Sequence, residues 1–474
     1  MKKMNGRKGS PTRLVVIGGG FTGAALAIHA IRASQDDMEI TIIEPAAELG
    51  RGTAYGTDDP AHRINVPSDR MTLTKDDPEG ATRWLFDQGI LPDAGSDDGE
   101  GRYYVPRRSY GAFIAASLRS EIEQAGGRIT FRHVRDSANA VIRGDGAWRI
   151  STEAHGELSA DLVALSFGHA APSAPCPIEA DVAKNPKFVP NPWAADALAA
   201  IGEQDSILIV GTGLTMADVV MSLRATGRNG PITAISRRGL VPGAHGLFRS
   251  DVDLFEGAPP PRTALGLLRA IRRRVRDTEA EMGWQPVVDS LRAQLPDIWN
   301  GLPAAEQRRV LSRLLPYWDV HRFRIAPQIS AALERDRAAG GLSIEKAGLS
   351  GLAPDGDGLK ARLKRKGGPA EERSFDAVVL CTGPDKNVAA NPLVAALLAQ
   401  KLACLDPAGL GLRVDRSSRV LDPNDQVTPG LFAFGPMTRG SFGEMTGAPD
   451  IASHIERIAG DLFGKTFSLK GNRL

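Results

Sequence analysis

The fold of this chain is decided by the stretch Leu14–Glu44, which reads LVVIGGGFTGAALAIHAIRASQDDMEITIIE. The apolar run Arg13–Ile17 predicts a short buried strand. Phe21 to about Ala33 predicts a helix, and Glu39–Ile43 predicts a second strand that ends at Glu44. A strand, a glycine-rich turn, a helix and a second strand in this order are typical of a dinucleotide-binding α/β unit.

The turn after the first strand contains Gly18, Gly20 and Gly23 at the G-x-G-x-x-G spacing. Gly18 permits the tight turn, Gly20 lets a pyrophosphate approach the backbone, and Gly23 lets the helix pack close to the sheet. The N-terminus of a helix attracts negative charge. Phe21 and Thr22, which begin the helix, are therefore also predicted dinucleotide contacts.

The acid at the end of the second strand strengthens this interpretation, because Glu44 is suited to accept hydrogen bonds from an adenosine ribose. Two alternatives remain open. Met1–Ala30 has the basic start and apolar run of a signal peptide, although three glycines interrupt the apolar segment. The other alternative is a glycine-rich turn that binds no ligand.

The length and charge of the chain limit its function class. Its 474 residues leave room for two or three domains and a sizeable core. A formal net charge of +2 argues against a dedicated nucleic-acid-binding protein. No other apolar run approaches the length needed to span a bilayer, so no membrane association is expected.

Cysteine and histidine usage argues against disulfide redox chemistry and against a metal centre. Cys176, Cys381 and Cys404 are scattered without a C-x-x-C pair, and the eight histidines form no H-E-x-x-H motif. We therefore expect no catalytic metal. Few cysteines and no convincing signal segment are consistent with a reducing cytoplasm.

A long loop after the second strand carries further candidate ligands. It contains the segments Arg51–Gly56 and His62–Met71 and is long for a connection between a strand and a helix. Long ordered loops are often functional, and a surface excursion is the alternative. The candidate cofactor contacts in this loop are Arg51, His62, Asn65 and Val66.

Helix and strand patterns follow the loop. Ser109 to Gln124 predicts a helix, because apolar residues recur at helical spacing and a Gly-Gly pair follows. Residues 128–167 predict antiparallel strands, which end in the buried strand Leu162–Gly168. A proline-rich segment then crosses to the next unit.

A second dinucleotide-binding unit is predicted to start at Ser206. Its strands are predicted over Ile207–Val210 and Thr233–Ser236, with a helix over Ala217–Ala225 between them. Met216 stands where the third small residue of the fingerprint is usual, which weakens the match. The candidate contacts in the turn of this unit are Gly211, Gly213, Leu214 and Thr215.

Arg237 and Arg238 follow the second strand of this unit, at the position where an acid would bind the ribose of NAD. Arginines at this position suit a 2′-phosphate, which favours NADP over NAD. A solvated basic turn is the alternative.

Residues 247–338 differ in character and predict a run of helices separated by prolines and glycines. The predicted helices are Arg262–Met282, Gln285–Leu295, Ala304–Leu315 and Ile325–Ala338. Within them, Arg272–Arg274 is expected to be a solvated helix face. The aromatic and charged segment Tyr317–Arg324 is expected to line a pocket, with simple packing as the alternative.

The strand pattern returns at Leu342. The predicted strands are Leu342–Lys346, Leu359–Lys364 and Phe375–Leu380, and a helix is predicted from Ala448 to Leu462. Two strands of this part open through a glycine, at Gly383 and at Gly435, and a strand that opens onto a helix in this way suits a buried cofactor. The candidate cofactor contacts in this part are Gly383, Gly435 and Glu444.

Two fingerprints, each with a later strand that ends at glycine, resemble the two-dinucleotide-fold flavoproteins, in which the first fold holds FAD and the second, inserted into it, holds NADPH. The closest resemblance is to the bacterial FAD/NAD(P)-binding family that includes a flavin-dependent urate hydroxylase. The resemblance rests on the segments Gly18–Gly23, Gly52–Gly56, His62–Pro67, Tyr104–Tyr110, Gly211–Asp218, Trp318–Arg322 and Gly435–Asp450.

This resemblance implies an α/β fold with two Rossmann-like dinucleotide-binding domains and a helical subdomain. Residues 1–180 would form the first part of the FAD-binding domain, and residues 195–246 the first part of the inserted NADP-binding domain. Residues 247–338 would form the helical subdomain, and residues 339–474 the return to the FAD-binding domain.

A looser resemblance links the chain to class B flavin monooxygenases, which include ornithine and lysine N-hydroxylases. Those enzymes often have an Asn-x-Pro-x-x-x-Met-like segment near the isoalloxazine, and Asn65, Pro67 and Met71 have that spacing. The resemblance makes Asn65 the candidate catalytic residue, hydrogen-bonded near flavin C4a or the nicotinamide amide. Baeyer–Villiger members have a Phe-x-Gly-x-x-x-His motif. The matching segment Phe188–Trp193 lacks its Gly and His, which argues against lactone-forming chemistry.

Together the resemblances imply an FAD- and NADPH-dependent oxidoreductase. The leading expectation is a monooxygenase that uses oxygen and a C4a-peroxyflavin to hydroxylate a small substrate, with nitrogen compounds as first candidates. The runner-up is an NADPH-dependent flavin reductase or oxidase that passes electrons to another acceptor. The third possibility, favoured by Met216, is a non-catalytic nucleotide-binding flavoprotein.

Overall fold

The structure is a computed structural model that describes residues 10–144, 146–168, 172–385 and 387–464. Its strands, numbered along the chain, are β1 (Thr12–Ile17), β2 (Met38–Ile43), β3 (Ile129–Val134), β4 (Ala138–Arg143), β5 (Trp148–Thr152), β6 (Glu157–Ala160), β7 (Leu162–Leu165), β8 (Phe188–Val189), β9 (Ile207–Val210), β10 (Ile232–Ser236), β11 (Leu342–Lys346), β12 (Gly348–Asp355), β13 (Gly358–Lys364), β14 (Ala370–Phe375), β15 (Ala377–Leu380), β16 (Arg419–Leu421) and β17 (Val427–Ala433).

The α-helices are α1 (Phe21–Ala33), α2 (Gly52–Tyr55), α3 (Gly80–Asp87), α4 (Arg107–Ala125), α5 (Ala180–Lys184), α6 (Leu214–Ala225), α7 (Ala264–Met282), α8 (Gln285–Gly301), α9 (Ala304–Arg309), α10 (Leu315–Arg322), α11 (Pro327–Ala338), α12 (Pro392–Ala399), α13 (Arg439–Phe442) and α14 (Ala448–Phe463). A π-helical segment, Val310–Leu314, joins α9 to α10. Short 3-10 turns lie at Ser68–Arg70, Gly126–Arg128, Val388–Ala390 and Gly435–Thr438.

The first sheet is built around β1, and its strand order is β16-β17-β7-β1-β2-β3. All neighbouring strands in it are parallel except β16 and β17. The β1 residues from Leu14 to Ile17 are fully buried, as expected for a parallel sheet with helices on its faces. Helix α1 packs against α4 and α14. The predicted unit over Leu14–Glu44 is confirmed.

Helix α1 is buried from Phe21 to Ile31 inside the core of this first domain, by which we mean the residues around the first sheet. Its preceding strand is central in the sheet. The apolar segment that suggested a signal peptide over Met1–Ala30 is therefore β1 and α1 of the folded core. Residues 1–9 of that range lie outside the described residues.

The second sheet has the order β11-β10-β9-β15-β8, and all its neighbouring strands are parallel. All five strands lie between β7 and β17 in the chain, so this second domain is inserted into the first. The predicted α/β fold with an inserted dinucleotide-binding domain is confirmed.

The inserted part is longer than the boundaries predicted from sequence. Strands β11 and β15 pair with β10 and β9, so the chain is still in the second sheet at Leu380 and has not returned to the first sheet at residue 339. Strand β8 also precedes the predicted start at residue 195. The error arose because strand patterns do not identify the sheet to which a strand belongs.

Two small antiparallel sheets flank the large ones, with the orders β4-β5-β6 and β12-β13-β14. The prediction of antiparallel strands over residues 128–167 is correct for β4, β5 and β6 only. Strands β3 and β7 at the two ends of that range pair in parallel with β2 and β1. Strand β12 and the separate strand β14 were not predicted.

The helical subdomain consists of α7 to α11, as the sequence predicts for residues 247–338. Helix α8 continues to Gly301 past Pro296 instead of ending at Leu295. The predicted helix over Ala304–Leu315 is divided by the π-helical segment and continues as α10. The arginine run 272–274 lies on α7, and Arg273 pairs there with Glu256 in an exposed ion pair, as predicted for a solvated face.

The two segments that connect the first and second domains run next to each other and are hydrogen-bonded. Pro172 forms a β-bridge with Pro384, and the Thr382 hydroxyl donates to the Ser173 carbonyl oxygen at 2.9 Å. Within the described residues, we find no helix whose length and apolar character would let it cross a membrane.

Candidate functional site

The turn between β1 and α1 requires glycine at two positions. Gly18 has a φ of +99°, and a Cβ added there would lie 2.7 Å from the backbone of Phe167. A Cβ on Gly23 would lie 2.0 Å from the carbonyl oxygen of Gly18. Only glycine fits such positions, so the predicted roles in turning the chain and in close packing agree with the geometry.

Glu44, directly after β2, lies beside this turn. Its Oε2 accepts a hydrogen bond from the Gly19 N–H at 2.8 Å, and its Oε1 accepts one from the Ala46 N–H at 3.1 Å. A carboxylate offers about four acceptor positions. Acceptor capacity therefore remains for ribose hydroxyls, and the predicted role of Glu44 fits the site.

Two distant segments meet the start of α1. A Cβ on Gly20 would lie 3.3 Å from Cα of Gly52, in the loop that follows β2. A Cβ on Gly435, which has a φ of +75°, would lie 2.8 Å from the Thr22 hydroxyl. Arg51 is engaged locally, with its Nε 2.6 Å from Glu48 Oε2. The segments predicted to hold the first dinucleotide therefore converge at one edge of the first sheet.

The turn between β9 and α6 repeats this arrangement in the second sheet. Gly211 has a φ of +121°, and a Cβ on it would lie 2.0 Å from the Cys381 carbonyl oxygen. A Cβ on Gly213 would have no heavy atom of the described residues within 4 Å apart from its chain neighbours, so there is space beside the backbone for ligand atoms. Met216 is completely buried in the core of the second domain. Its departure from the fingerprint is therefore explained by packing.

Arg237 and Arg238 follow β10, and neither has an ion-pair partner among the described residues. The Arg238 guanidinium lies over the ring of Tyr317, 5.7 Å from its centroid. Tyr317 is 49% exposed. Two uncompensated cations beside an exposed aromatic ring are suited to a phosphorylated nucleotide.

One cleft of about 2120 Å³ joins the first domain, the second domain and the helical subdomain. Among the described residues that line it, eleven arginines face seven carboxylates, an excess of four positive charges over a chain whose net charge is +2. Such a cleft favours anionic ligands, and dinucleotide phosphates are of this kind.

The predicted site residues divide into two groups around this cleft. Those that line it are Asn65, Val66, Gly211, Gly213, Leu214, Thr215, Arg237, Arg238, Gly383 and Glu444. Those that lie outside its wall are Gly18, Gly20, Phe21, Thr22, Gly23, Glu44, Arg51, His62 and Gly435. The second group belongs to the edge of the first sheet, where the turn, the loop and β17 meet.

Asn65 is half-buried in the cleft wall. Its backbone carbonyl accepts a hydrogen bond from His245 Nε2 at 2.5 Å, while its side-chain amide has no hydrogen-bond partner among the described residues. An amide both donates and accepts. Asn65 therefore offers both functions to a ligand in the cleft.

His62, a predicted cofactor contact, has a hydroxyl partner at each of its ring nitrogens. Its Nδ1 lies 2.8 Å from the Thr57 hydroxyl, and its Nε2 lies 2.9 Å from the hydroxyl of Ser222 on α6. The residue is buried, and burial lowers its pKa. His62 therefore ties the loop of the first domain to the second domain through Ser222.

Sequence reasoning missed a buried ion pair between the domains. Arg107 Nη2, at the start of α4, lies 2.8 and 3.1 Å from the two carboxylate oxygens of Asp218 on α6. Burial raises the pKa of Asp218, although the Arg107 charge opposes this effect. Both residues occur in the segments that carry the family resemblance, but a pair separated by 111 residues leaves no local pattern.

A second cluster of charges joins the helical subdomain to α14. Arg322 Nη2 lies 3.0 Å from Asp450 Oδ2, and Arg292 pairs with the same oxygen. Glu444, a predicted cofactor contact, lies in this cluster with its Oε2 3.7 Å from Arg322 Nε. Burial and the neighbouring Arg292 lower the pKa of Arg322. The segment Tyr317–Arg324 thus contributes to the cleft wall, as predicted.

Arg439, the first residue of α13, is also missing from the sequence-based site. It is half-buried, lines the cleft and has neither an ion pair nor a hydrogen bond among the described residues. A buried charge without a partner is costly, so an anionic ligand group would be favoured beside it. Its only sequence signal is its position four residues after Gly435.

Residues 15–170 match a protein-family model described as FAD-NAD(P)-binding. This range includes the first glycine-rich turn, Glu44 and Asn65. The match confirms the predicted FAD/NAD(P)-binding domain in this part of the chain. No curated protein sequence matches the chain.

Several solved structures have a similar fold over nearly the whole chain. The ornithine N-hydroxylase of Kutzneria sp. 744, with reduced FAD, NADP+ and L-ornithine, is 15% identical, and the match covers 95% of this chain and 99% of that one with a TM-score of 0.64. L-lysine 6-monooxygenase from Pseudomonas syringae is 20% identical, with 95% and 98% covered and a TM-score of 0.64. The FAD-bound cadaverine monooxygenase from Erwinia amylovora is 14% identical, with 96% and 95% covered and a TM-score of 0.62. The likeness confirms the predicted two-dinucleotide flavoprotein fold.

Proposed function

We propose that this chain is an FAD-dependent, NADPH-using monooxygenase that hydroxylates a nitrogen atom of a small amine. The observation that carries the proposal is the cleft that joins Gly213, the arginines after β10 and Asn65. A hydride donor, a flavin and a substrate must meet in one site for such chemistry. The ornithine, lysine and cadaverine enzymes of the same fold make amines the first substrates to test.

FAD would be held by the first domain. The backbone of Gly18–Gly23 would meet its pyrophosphate, and Glu44 would accept hydrogen bonds from its adenosine ribose. The Gly435–Thr438 turn, which approaches Thr22, would contact the cofactor further along. When it is bound and reduced, the flavin supplies the chemistry that activates oxygen and transfers it to the substrate.

NADPH would be held by the second domain, which in this proposal runs from β8 to β15. The open space at Gly213 supports a pyrophosphate beside the N-terminus of α6. The guanidinium groups of Arg237 and Arg238, which have no ion-pair partner in the part of the chain that the structure describes, support a bound 2′-phosphate, with Tyr317 as an aromatic neighbour. We therefore propose a preference for NADPH over NADH.

Asn65 would orient the reacting groups in the cleft. Its side-chain amide, which is not hydrogen-bonded to any described residue, supports a hydrogen bond to the flavin or to the nicotinamide amide. The neighbouring Ile64, Met71 and Met437 are buried and apolar, and they also line the cleft. These side chains would exclude water from the site where oxygen reacts.

The substrate would enter beside the helical subdomain, where Arg439 has no counter-charge among the described residues. We propose that Arg439 binds a carboxylate of the substrate. L-lysine and cadaverine differ by a carboxylate, so replacing Arg439 with Met should remove a preference for L-lysine and leave cadaverine turnover unchanged. The location proposed for the protein is the cytoplasm, which suits NADPH and three free cysteines.

The test is to reduce the flavin-loaded protein anaerobically with NADPH and then add oxygen with L-ornithine, L-lysine or cadaverine. We expect NADPH to bleach the flavin absorbance, and an accepted amine to yield hydroxylated product in proportion to NADPH consumed. Stoichiometric hydrogen peroxide with every amine would favour a reductase or oxidase. A flavin that NADPH does not reduce would favour a non-catalytic nucleotide-binding protein.

A further inference from the structure

Asn65 lies in a short segment, residues 64–68, whose first and last residues are hydrogen-bonded to the first domain. The Ile64 N–H donates to the Val105 carbonyl at 3.0 Å, and the Ser68 N–H donates to the Tyr103 carbonyl at 2.9 Å. Between these two hydrogen bonds, the carbonyl of Asn65 accepts one from His245 Nε2. His245 comes from outside the first domain, in the loop after β10.

The imidazole of His245 is itself fixed by contacts to other parts of the molecule. The Gly243 N–H donates to the Val320 carbonyl at 3.2 Å, and the Ile325 N–H donates to the Gly243 carbonyl at 3.1 Å. The His245 ring stacks on Phe248 with a centroid distance of 5.0 Å. The guanidinium groups of Arg70 and Arg102 each lie 5.2 Å from the Phe248 ring centroid. The loop is therefore held by both the helical subdomain and the first domain.

The surroundings also determine the protonation of this histidine. A carbonyl oxygen only accepts, so Nε2 must carry the ring proton in the bond to Asn65. Nδ1 is buried and has no partner among the described residues. Burial lowers the pKa of His245 to about 4, and the charges of Arg324, Arg322 and Arg102 act in the same direction. The neighbouring Tyr104 ring is a neutral phenol, because burial raises its pKa. His245 is therefore a neutral, one-tautomer donor at neutral pH.

We infer that His245 is a positioning residue whose Nε2–H holds the Asn65 carbonyl and thereby directs the Asn65 amide at the ligands in the cleft. This inference rests on the proposed function, since that function gives the Asn65 amide its role. According to this inference, Asn65 is oriented by the loop between β10 and α7, which begins with Arg237 and Arg238 and leads to the helical subdomain. The geometry of the flavin side would thus depend on a residue of the nicotinamide side.

The contribution of the His245–Asn65 hydrogen bond to the order of this segment can be tested by a measurement that does not depend on turnover. Hydrogen–deuterium exchange of the segment containing residues 64–68 should be faster in His245→Leu than in the unchanged chain. His29→Leu is the matched control, because buried His29 makes the same type of contact, from Nε2 to the Leu73 carbonyl at 3.1 Å, away from the cleft. Exchange at 64–68 that is unchanged in His245→Leu would overturn the inference.

The consequence for the site is tested with the flavin-loaded enzyme. We expect His245→Leu to keep its FAD affinity within about twofold while kcat falls roughly tenfold to a hundredfold, the effect of a misplaced reacting group. The KM for NADPH should change little, and the change in flavin absorbance on adding NADP+ should be lost. His245→Gln, whose amide can donate to the same carbonyl, should restore both signals. A Gln variant as impaired as Leu would contradict the inference.

The double variant His245→Leu/Asn65→Ala separates this inference from the proposed function. If His245 acts through Asn65, the double variant should have the same kcat as Asn65→Ala alone. Additive losses would overturn the positioning role. If Asn65→Ala alone leaves kcat unchanged, the proposed role of Asn65 fails, whereas the exchange result still decides whether His245 holds the segment.

Discussion

Arg107 and Asp218 form an ion pair across the two domains, in which Arg107 Nη2 lies 2.8 and 3.1 Å from the two carboxylate oxygens and both side chains are about nine-tenths buried. We predict that Arg107→Met lowers the free energy of unfolding by about 3–5 kcal/mol, because it leaves the Asp218 charge buried without a partner. The double variant Arg107→Met/Asp218→Leu should lose much less. Urea unfolding of the flavin-loaded protein measures both changes.

The control for this prediction is the exposed pair of Arg273 and Glu256, which are 3.0 Å apart and more than half exposed. Arg273→Met should cost no more than about 1 kcal/mol, because water already solvates both partners. Equal losses for Arg107→Met and Arg273→Met would show that the buried pair does not join the domains.

The second turn offers a test that separates stability from ligand binding. Gly211→Ala should unfold the second domain or lower its stability by several kcal/mol, since the Cβ would meet the Cys381 carbonyl at 2.0 Å and φ is +121°. Gly213→Ala should change stability by less than about 1 kcal/mol, because the added Cβ would meet no heavy atom of the described residues within 4 Å beyond its chain neighbours.

Gly213→Ala should nevertheless weaken NADP+ binding by about tenfold or more, equivalent to 1.4 kcal/mol, if the pyrophosphate approaches this backbone. Calorimetric titration of NADP+ and the thermal unfolding temperature distinguish the two effects. Unchanged NADP+ affinity in the Gly213 variant would place the pyrophosphate elsewhere.

The parts of the fold that sequence predicts well are those where the signal is local. The units β1-α1-β2 and β9-α6-β10 each combine an apolar strand, a glycine turn and a helix within a few tens of residues, and both were found at the expected positions. Gly23 shows why, since its lack of a side chain is required by a contact with Gly18, only five residues away. Such constraints can be read without knowing the remainder of the chain.

The features that sequence does not predict depend on contacts between distant residues. Three such contacts leave no pattern along the chain. Strand β15 pairs with β9 in the second sheet, His245 is hydrogen-bonded to Asn65 across 180 residues, and His62 is hydrogen-bonded to Ser222 across 160 residues. From the sequence alone, His62 is predicted to contact the cofactor, and the hydroxyl partners of its two ring nitrogens are visible only in the structure. The domain topology decides these contacts.

Arg237 and Arg238 should determine the preference for NADPH over NADH. Arg237→Ala/Arg238→Ala should raise the KM for NADPH at least tenfold and leave the KM for NADH nearly unchanged, because charge-assisted hydrogen bonds to a phosphate are worth about 1.5–3 kcal/mol. Steady-state kinetics with both nucleotides measures this. Arg272→Ala/Arg273→Ala on α7 is the control for a loss of two positive charges away from the cleft. A double variant that retains its NADPH preference would remove the 2′-phosphate assignment.

Acid should destabilise the fold through His245. The unfolded chain protonates His245 near its ordinary pKa of about 6.5, whereas the folded chain resists protonation until about pH 4. Between these values the unfolded state binds more protons, so the free energy of unfolding falls as the pH falls. The stabilisation from neutral His245 is fully present above pH 6.5, and about 2 kcal/mol of it should be lost at pH 5.

The pKa values of His29, His62 and His454 are also lowered, so only a comparison of variants isolates the effect of His245. Urea unfolding at pH 7.5 and pH 5 should therefore show a smaller acid-induced loss in His245→Gln than in the unchanged chain, and equal losses would mean that His245 is protonated in the folded protein.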